Sequence, residues 1–136
     1  MNAVADALAR FILALDDRDW DTVTEWLGET VRIDYTSLFE GEPETVAGPE
    51  LVARWQGLLT GLDGHQHLLG PAVIDVDGDE ARAQMHVTGT HALDGDSWVV
   101  GGTYRMALRR SDRWRIVAIT LDTRWQTGDA AILERA

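Results

Sequence analysis

Residues 75–125 read DVDGDEARAQMHVTGTHALDGDSWVVGGTYRMALRRSDRWRIVAITLDTRW, and this stretch decides the fold. The polar links Asp77-Gly78-Asp79, Asp94-Gly95-Asp96 and Ser111-Asp112-Arg113 separate runs rich in valine, isoleucine, threonine and aromatic residues. Asp-Gly pairs between such runs supply the positive-φ positions that tight hairpins need. Together with the run before them, three hairpin links join four antiparallel strands, at roughly 64 to 76, 80 to 93, 97 to 110 and 113 to 125. Strands this much longer than the ordinary ~5 to 6 residues imply a strongly bent sheet.

The chain before the strands is helical. Val4, Leu8, Phe11, Ile12 and Leu15 recur at three- and four-residue spacing, which predicts a helix ending near Asp16 and Asp17. Asp19 can cap a second, shorter helix through Trp26, folded back on the first. From Thr30 to Tyr35 the pattern alternates, putting Val31, Ile33 and Tyr35 on one side of a half-buried strand with Tyr35 inward. Leu38 to Gly48 is rich in Glu, Gly and Pro and reads as a loop, after which Pro49 opens a third helix to about Leu59. Helices first and strands after predict an α+β fold. The expected architecture is a cone-shaped, curved antiparallel sheet wrapped around N-terminal helices, with residues 1–136 as one domain.

Composition narrows the function classes. Twelve Lys plus Arg against 23 Asp plus Glu give a net charge of −11, which repels phosphate backbones and anionic lipids. No nucleic acid and no membrane partner is expected. Cysteine is absent, so thiol nucleophiles, disulfides and thiolate-bound metals are excluded. The apolar N-terminal stretch follows helical periodicity, lacks a basic leader and carries flanking acids, which predicts a cytoplasmic protein without a signal.

Strand parity then selects the chemistry-bearing side chains. Ala83, Met85, Val87, Gly89 and His91 share an apolar face, as do Trp98, Val100, Gly102, Tyr104 and Met106 on the next strand. His65 and His67 share a face of the preceding strand; His65 is expected at its exposed entrance and His86 on the polar face. The last strand is apolar on both sides, so parity leaves open whether Ile119, Leu121 and Thr123 or Ile116, Ala118 and Thr120 face inward. One inward histidine is more often a hydrogen-bonded core group than a catalyst. His65-x-His67 can chelate a metal, but no third ligand follows at a suitable spacing and no metal is expected. Asp16 ends a helix at its negative pole, which suggests either a role in starting the next helix or a buried partner such as a histidine.

The ordered set of these features resembles the scytalone dehydratase-like, SnoaL-like branch of the NTF2-like superfamily over nearly the whole chain. The resemblance is carried by Asp16, Asp19-Trp20, Val31-Arg32-Ile33-Asp34-Tyr35-Thr36-Ser37, Gln66-His67, His91 and Asp122-Thr123-Arg124-Trp125. Gly101-Gly102-Thr103-Tyr104, Arg109-Arg110 and Trp114 are also similar to the hexachlorocyclohexane dehydrochlorinase of that superfamily. It implies a cofactor-free lyase of the dehydratase type, with Asp16, Tyr35, His67 and His91 as catalytic residues. Leu15 stands where the family has a second catalytic tyrosine, and Gly102 and Tyr104 where it has serine and asparagine; the substrate is therefore expected not to be scytalone. Tyr104 is a candidate to replace the missing phenol from across the cavity.

In the chemistry this implies, His67 is the base and Asp16 orients it, Tyr35 donates to a carbonyl oxygen, and His91 holds or protonates the leaving group. Leu15, Leu38, Tyr104, Ile119, Leu121 and Thr123 would line the pocket around a small, largely apolar substrate. The same residues suit isomerisation or cyclisation of polyketide, terpenoid or steroid compounds, and the fold also serves non-catalytic ligand binding. Six tryptophans, with Trp98, Trp114 and Trp125 on or beside the last strands, suggest a homo-oligomer, dimer or trimer.

Overall fold

The computed structural model describes residues 2–136. The chain opens with α1 (Ala3–Asp16), capped by the Asn2 side chain, and α2 (Trp20–Trp26), capped by Asp19 through the Thr22 N–H. The strand β1 (Leu27–Asp34) follows, starting earlier than the alternation suggests and stopping one residue short of Tyr35. After it come β2 (Glu44–Ala47), α3 (Gly48–Leu59), β3 (Gly64–Leu69) and β4 (Val73–Asp77). Three long strands, β5 (Glu80–Leu93), β6 (Asp96–Arg110) and β7 (Trp114–Gly128), and a short α4 (Ile132–Arg135) complete the chain.

Seven strands form one curved, unclosed sheet in the order β2-β1-β7-β6-β5-β3, with β4 also on β5. The sheet is mixed, not wholly antiparallel: β1 runs parallel to β7, because the chain reaches β7 from the far side of the meander. The hairpins fall where the Asp-Gly pairs stand. Asp94 and Gly95 both have positive φ and form the two-residue link between Leu93 and Asp96.

Two elements depart from the sequence expectation. The first strand run is two strands, β3 and β4, both paired to β5, because Gly70-Pro71 interrupts it and Pro71 has no N–H for the ladder. Within the expected loop, Glu44–Ala47 pairs antiparallel with β1. Only Val46 of those four residues is buried, so the strand exists through its partner and has little apolar signal of its own.

The apolar stripe of α1 is buried as its spacing predicts, and it joins the alternate residues of β5 and β6 in one core cluster. β7 contributes both Ile116 and Ile119, which strict alternation would put on opposite faces. The pairing shifts between Leu108–Ile116 and Ala107–Ala118, leaving Val117 as an extra residue that resets the parity. This bulge resolves the ambiguity of the last strand in favour of Ile119 and Leu121. Trp98 and Trp114, expected to be available to a subunit interface, are buried within the chain, whereas Trp125 is half exposed. Among the described residues no helix is long and apolar enough to cross a membrane.

Candidate active site

Between the sheet and the helices lies a cavity of about 300 Å3. His67, His91, Tyr35 and Tyr104 line it, with Leu15, Leu38, Ile119 and Leu121 in its walls. Asp16 is brought in from behind His67. Thr123 is not in the wall; its hydroxyl lies 3.1 Å from Ser37 Oγ.

The central pair is Asp16 and His67. Asp16 Oδ1 is 2.8 Å from His67 Nδ1, and Oδ2 accepts the His67 backbone N–H at 2.7 Å. These two donors explain a carboxylate at the negative end of α1, where the helix dipole alone disfavours it. A carboxylate accepts only, so neutral His67 carries its proton on Nδ1 and leaves Nε2 bare. Gly89 is opposite His67 in the β3–β5 register, and its missing side chain leaves room, since a Cβ there would lie 3.4 Å from Nε2.

His65 is not an exposed entrance. Its side chain is fully buried, with Nε2 3.0 Å from the Leu15 carbonyl oxygen and 3.7 Å from Asp16 Oδ1. It donates to the last turn of α1 and so helps hold Asp16 in place, a role hidden in sequence because it depends on where α1 ends. The H-x-H pair is thus divided between a carbonyl and a carboxylate, and among the described residues no three ligating side chains form a metal cluster. His86 is exposed on the opposite face, as expected.

His91 stands perpendicular to His67, their ring centroids 6.0 Å apart, and stacks on Trp98 at 4.8 Å. Its Nδ1 lies 3.1 Å from the Trp98 carbonyl, which only accepts, so the proton is on Nδ1. Burial pushes its pKa down to about 4, against the raising effect of that hydrogen bond. The unfolded chain takes up this proton near pH 6.5 and the folded chain only near 4, so stability from this group is present above 6.5 and lost as pH falls towards 4. The full effect is about 3 kcal/mol. Urea unfolding at about pH 7 and about pH 4 checks it: wild type loses more stability between the two than His91→Gln does.

Both phenols are also perturbed. Burial, with Tyr104 nearby, raises Tyr35 well above the ordinary phenol value; burial, with the Asp16 charge, pushes Tyr104 up to about 12. Each therefore keeps its O–H at neutral pH.

Parity within strands missed the groups that reach the cavity from the helices. Phe11 and Trp55 close it from the helices, their rings 5.8 Å apart, and Leu133 reaches it from α4. Trp98 shares the inward face of Tyr104 and was legible there. At the rim stand Glu40, Glu42 and Glu44, with Arg54 bonded to Glu44 at 2.9 Å and Glu50 at 3.2 Å.

Solved structures with this architecture include a protein from Kribbella flavida, with TM-score 0.89 and 24% identity over 98% of this chain and 95% of that one. A protein proposed to be a scytalone dehydratase, from Novosphingobium aromaticivorans, matches with TM-score 0.80 and 18% identity over 93% and 85%. The hexachlorocyclohexane dehydrochlorinase LinA-type3 from Novosphingobium barchaimii matches with TM-score 0.76 and 15% identity over 94% and 88%. At these identities the likeness is one of fold. No match was found among the curated proteins. The SnoaL-like domain model matches residues 1–120, nearly the whole chain and all of the cavity lining but Leu121 and Leu133, and the chain belongs to the SnoaL-like family.

Proposed function

We propose that the protein is a cofactor-independent lyase that eliminates water from a small, largely apolar β-hydroxy carbonyl compound. The observation that carries this reading is the Asp16–His67 pair with Nε2 left bare beside a cavity walled by apolar side chains. His67 Nε2 takes the α-proton, the electron pair moves onto the carbonyl oxygen, and the Tyr35 O–H stabilises the enolate. Collapse of the enolate expels the β-hydroxyl, which leaves as water with the proton returned by His67.

His91 holds the leaving hydroxyl and does not protonate it. Its Nδ1 proton is committed to Trp98 and its pKa lies near 4, so the other ring nitrogen accepts. A single proton carrier also suits a second reading. Without a leaving group, His67 can return the proton to a different carbon, which is an isomerisation. Relatives in fold described as a dehydratase and as a dehydrochlorinase support elimination as the first reading.

The test uses β-hydroxy-α-tetralone, whose dehydration gives naphthol, and α-tetralone, whose α-protons exchange in heavy water. Wild type catalyses at least the exchange, and His67→Ala reduces both to background while keeping its circular dichroism. Equal rates in the two proteins would remove the proposal.

A further inference from the structure

The elimination employs His67 and His91 and gives His65 no part, although its side chain is fully buried beside Asp16 and outside the cavity wall. Its Nε2 donates to the Leu15 carbonyl at 3.0 Å, which places the proton of the neutral ring there and leaves Nδ1 bare. Nδ1 is buried, and no described residue donates to it. A buried acceptor without a partner is a cost that an apolar side chain would avoid. Packing therefore does not explain the imidazole.

Nor does the helix need its donor. At the end of α1, Arg18 takes a φ of 57° and sends its N–H to the Leu15 carbonyl at 3.2 Å, and the Asp19 N–H reaches the Ala14 carbonyl at 2.9 Å. This is a complete C-terminal cap, so the Leu15 carbonyl has a partner before His65 reaches it. What His65 adds is a tie between α1 and β3. It grips residue 15 by the carbonyl, and His67, two residues along the same face of β3, grips residue 16 by both carboxylate oxygens. The tie carries no charge. Burial lowers the pKa of His65, against the raising effects of the Leu15 carbonyl and the Asp16 charge, so the ring is neutral 3.7 Å from Asp16 Oδ1. A lysine or arginine at this place would pair with the carboxylate and cancel the charge that the His67 imidazolium needs.

We propose that His65 is a positioning residue of the reaction: by fixing the Leu15 carbonyl on β3, it holds the carboxylate of the next residue on both donors of His67 and keeps the proton of that ring on Nδ1. The proposal rests on the reading of His67 as the base. His65 touches neither the substrate nor the transferred proton, and its contribution is to the rate and not to the stability of the fold.

Two variants test it. His65→Leu removes the donor and the bare acceptor together, and His65→Gln replaces the Nε2–H with an amide N–H of similar reach. In His65→Leu the urea midpoint stays at or above that of wild type, the His67 ring nitrogens report a mixture of both tautomers by NMR, and α-proton exchange of α-tetralone slows about 10- to 100-fold. His65→Gln restores the wild-type tautomer and most of the rate. A His67 tautomer unchanged in His65→Leu, a urea midpoint lowered in that variant, or a His65→Gln as impaired as His65→Leu overturns the proposal. The nitrogen spectrum reads the placement of His67 without turnover, whereas equal exchange in wild type and His67→Ala removes the base, so the two failures are distinct.

Discussion

Asp16→Asn lowers the rate of α-proton exchange by about 10³-fold or more, although it changes one atom of the side chain. The reason is tautomeric. Asp16 accepts from both the backbone N–H and Nδ1 of His67, so it fixes the ring's orientation and places its proton away from the cavity. Asparagine keeps one acceptor, which satisfies the backbone N–H, and turns its amide NH2 towards Nδ1. His67 must then accept at Nδ1 and carry its proton on Nε2, where the substrate's α-proton has to go. The base is lost while the fold remains. Proton NMR of α-tetralone in heavy water measures the rate, and circular dichroism the fold. A variant retaining more than a tenth of the wild-type rate would show that Asp16 does not set the tautomer.

Phe11→Ala destabilises the protein by about 3 to 5 kcal/mol, a large share of the roughly 5 to 15 kcal/mol that holds a domain together. Phe11 is 2% exposed, packs its ring against Trp55 and belongs to the buried stripe of α1. Because it also borders the cavity, truncation enlarges an existing space that water can enter, which places the loss towards the lower end. The same helix ends in Asp16, so the packing that stabilises the fold also aims the carboxylate. Urea unfolding measures the effect; a midpoint within error of wild type would contradict this account of the core.

The elements with strong local signals were legible. Heptad-like spacing along α1, the Asp19 cap and the Asp-Gly hairpins depend on neighbours in sequence, and the structure places them accordingly. What was hidden depends on partners distant in sequence. The edge strand β2 exists through its pairing with β1, the bulge at Val117 through its register with β6, and the parallel β1–β7 pairing through the path of the whole chain. The cavity residues followed the same division. His67, His91 and Tyr104 were found by parity within single strands, and Asp16 by its odd position at a helix end. The place of His65 was misjudged, since it is set by a carbonyl on another element, that of Leu15 in α1. Thr123 has the parity of Leu121, but its hydroxyl meets Ser37 and it does not line the cavity.

The central claim is that Asp16 holds His67 as the tautomer with a bare Nε2 facing the cavity. Histidine nitrogen NMR of the neutral ring tests it most directly. The account predicts a protonated Nδ1 and an unprotonated Nε2 on His67 in wild type, and the reverse in Asp16→Asn. A His67 that carries its proton on Nε2 in wild type would contradict it.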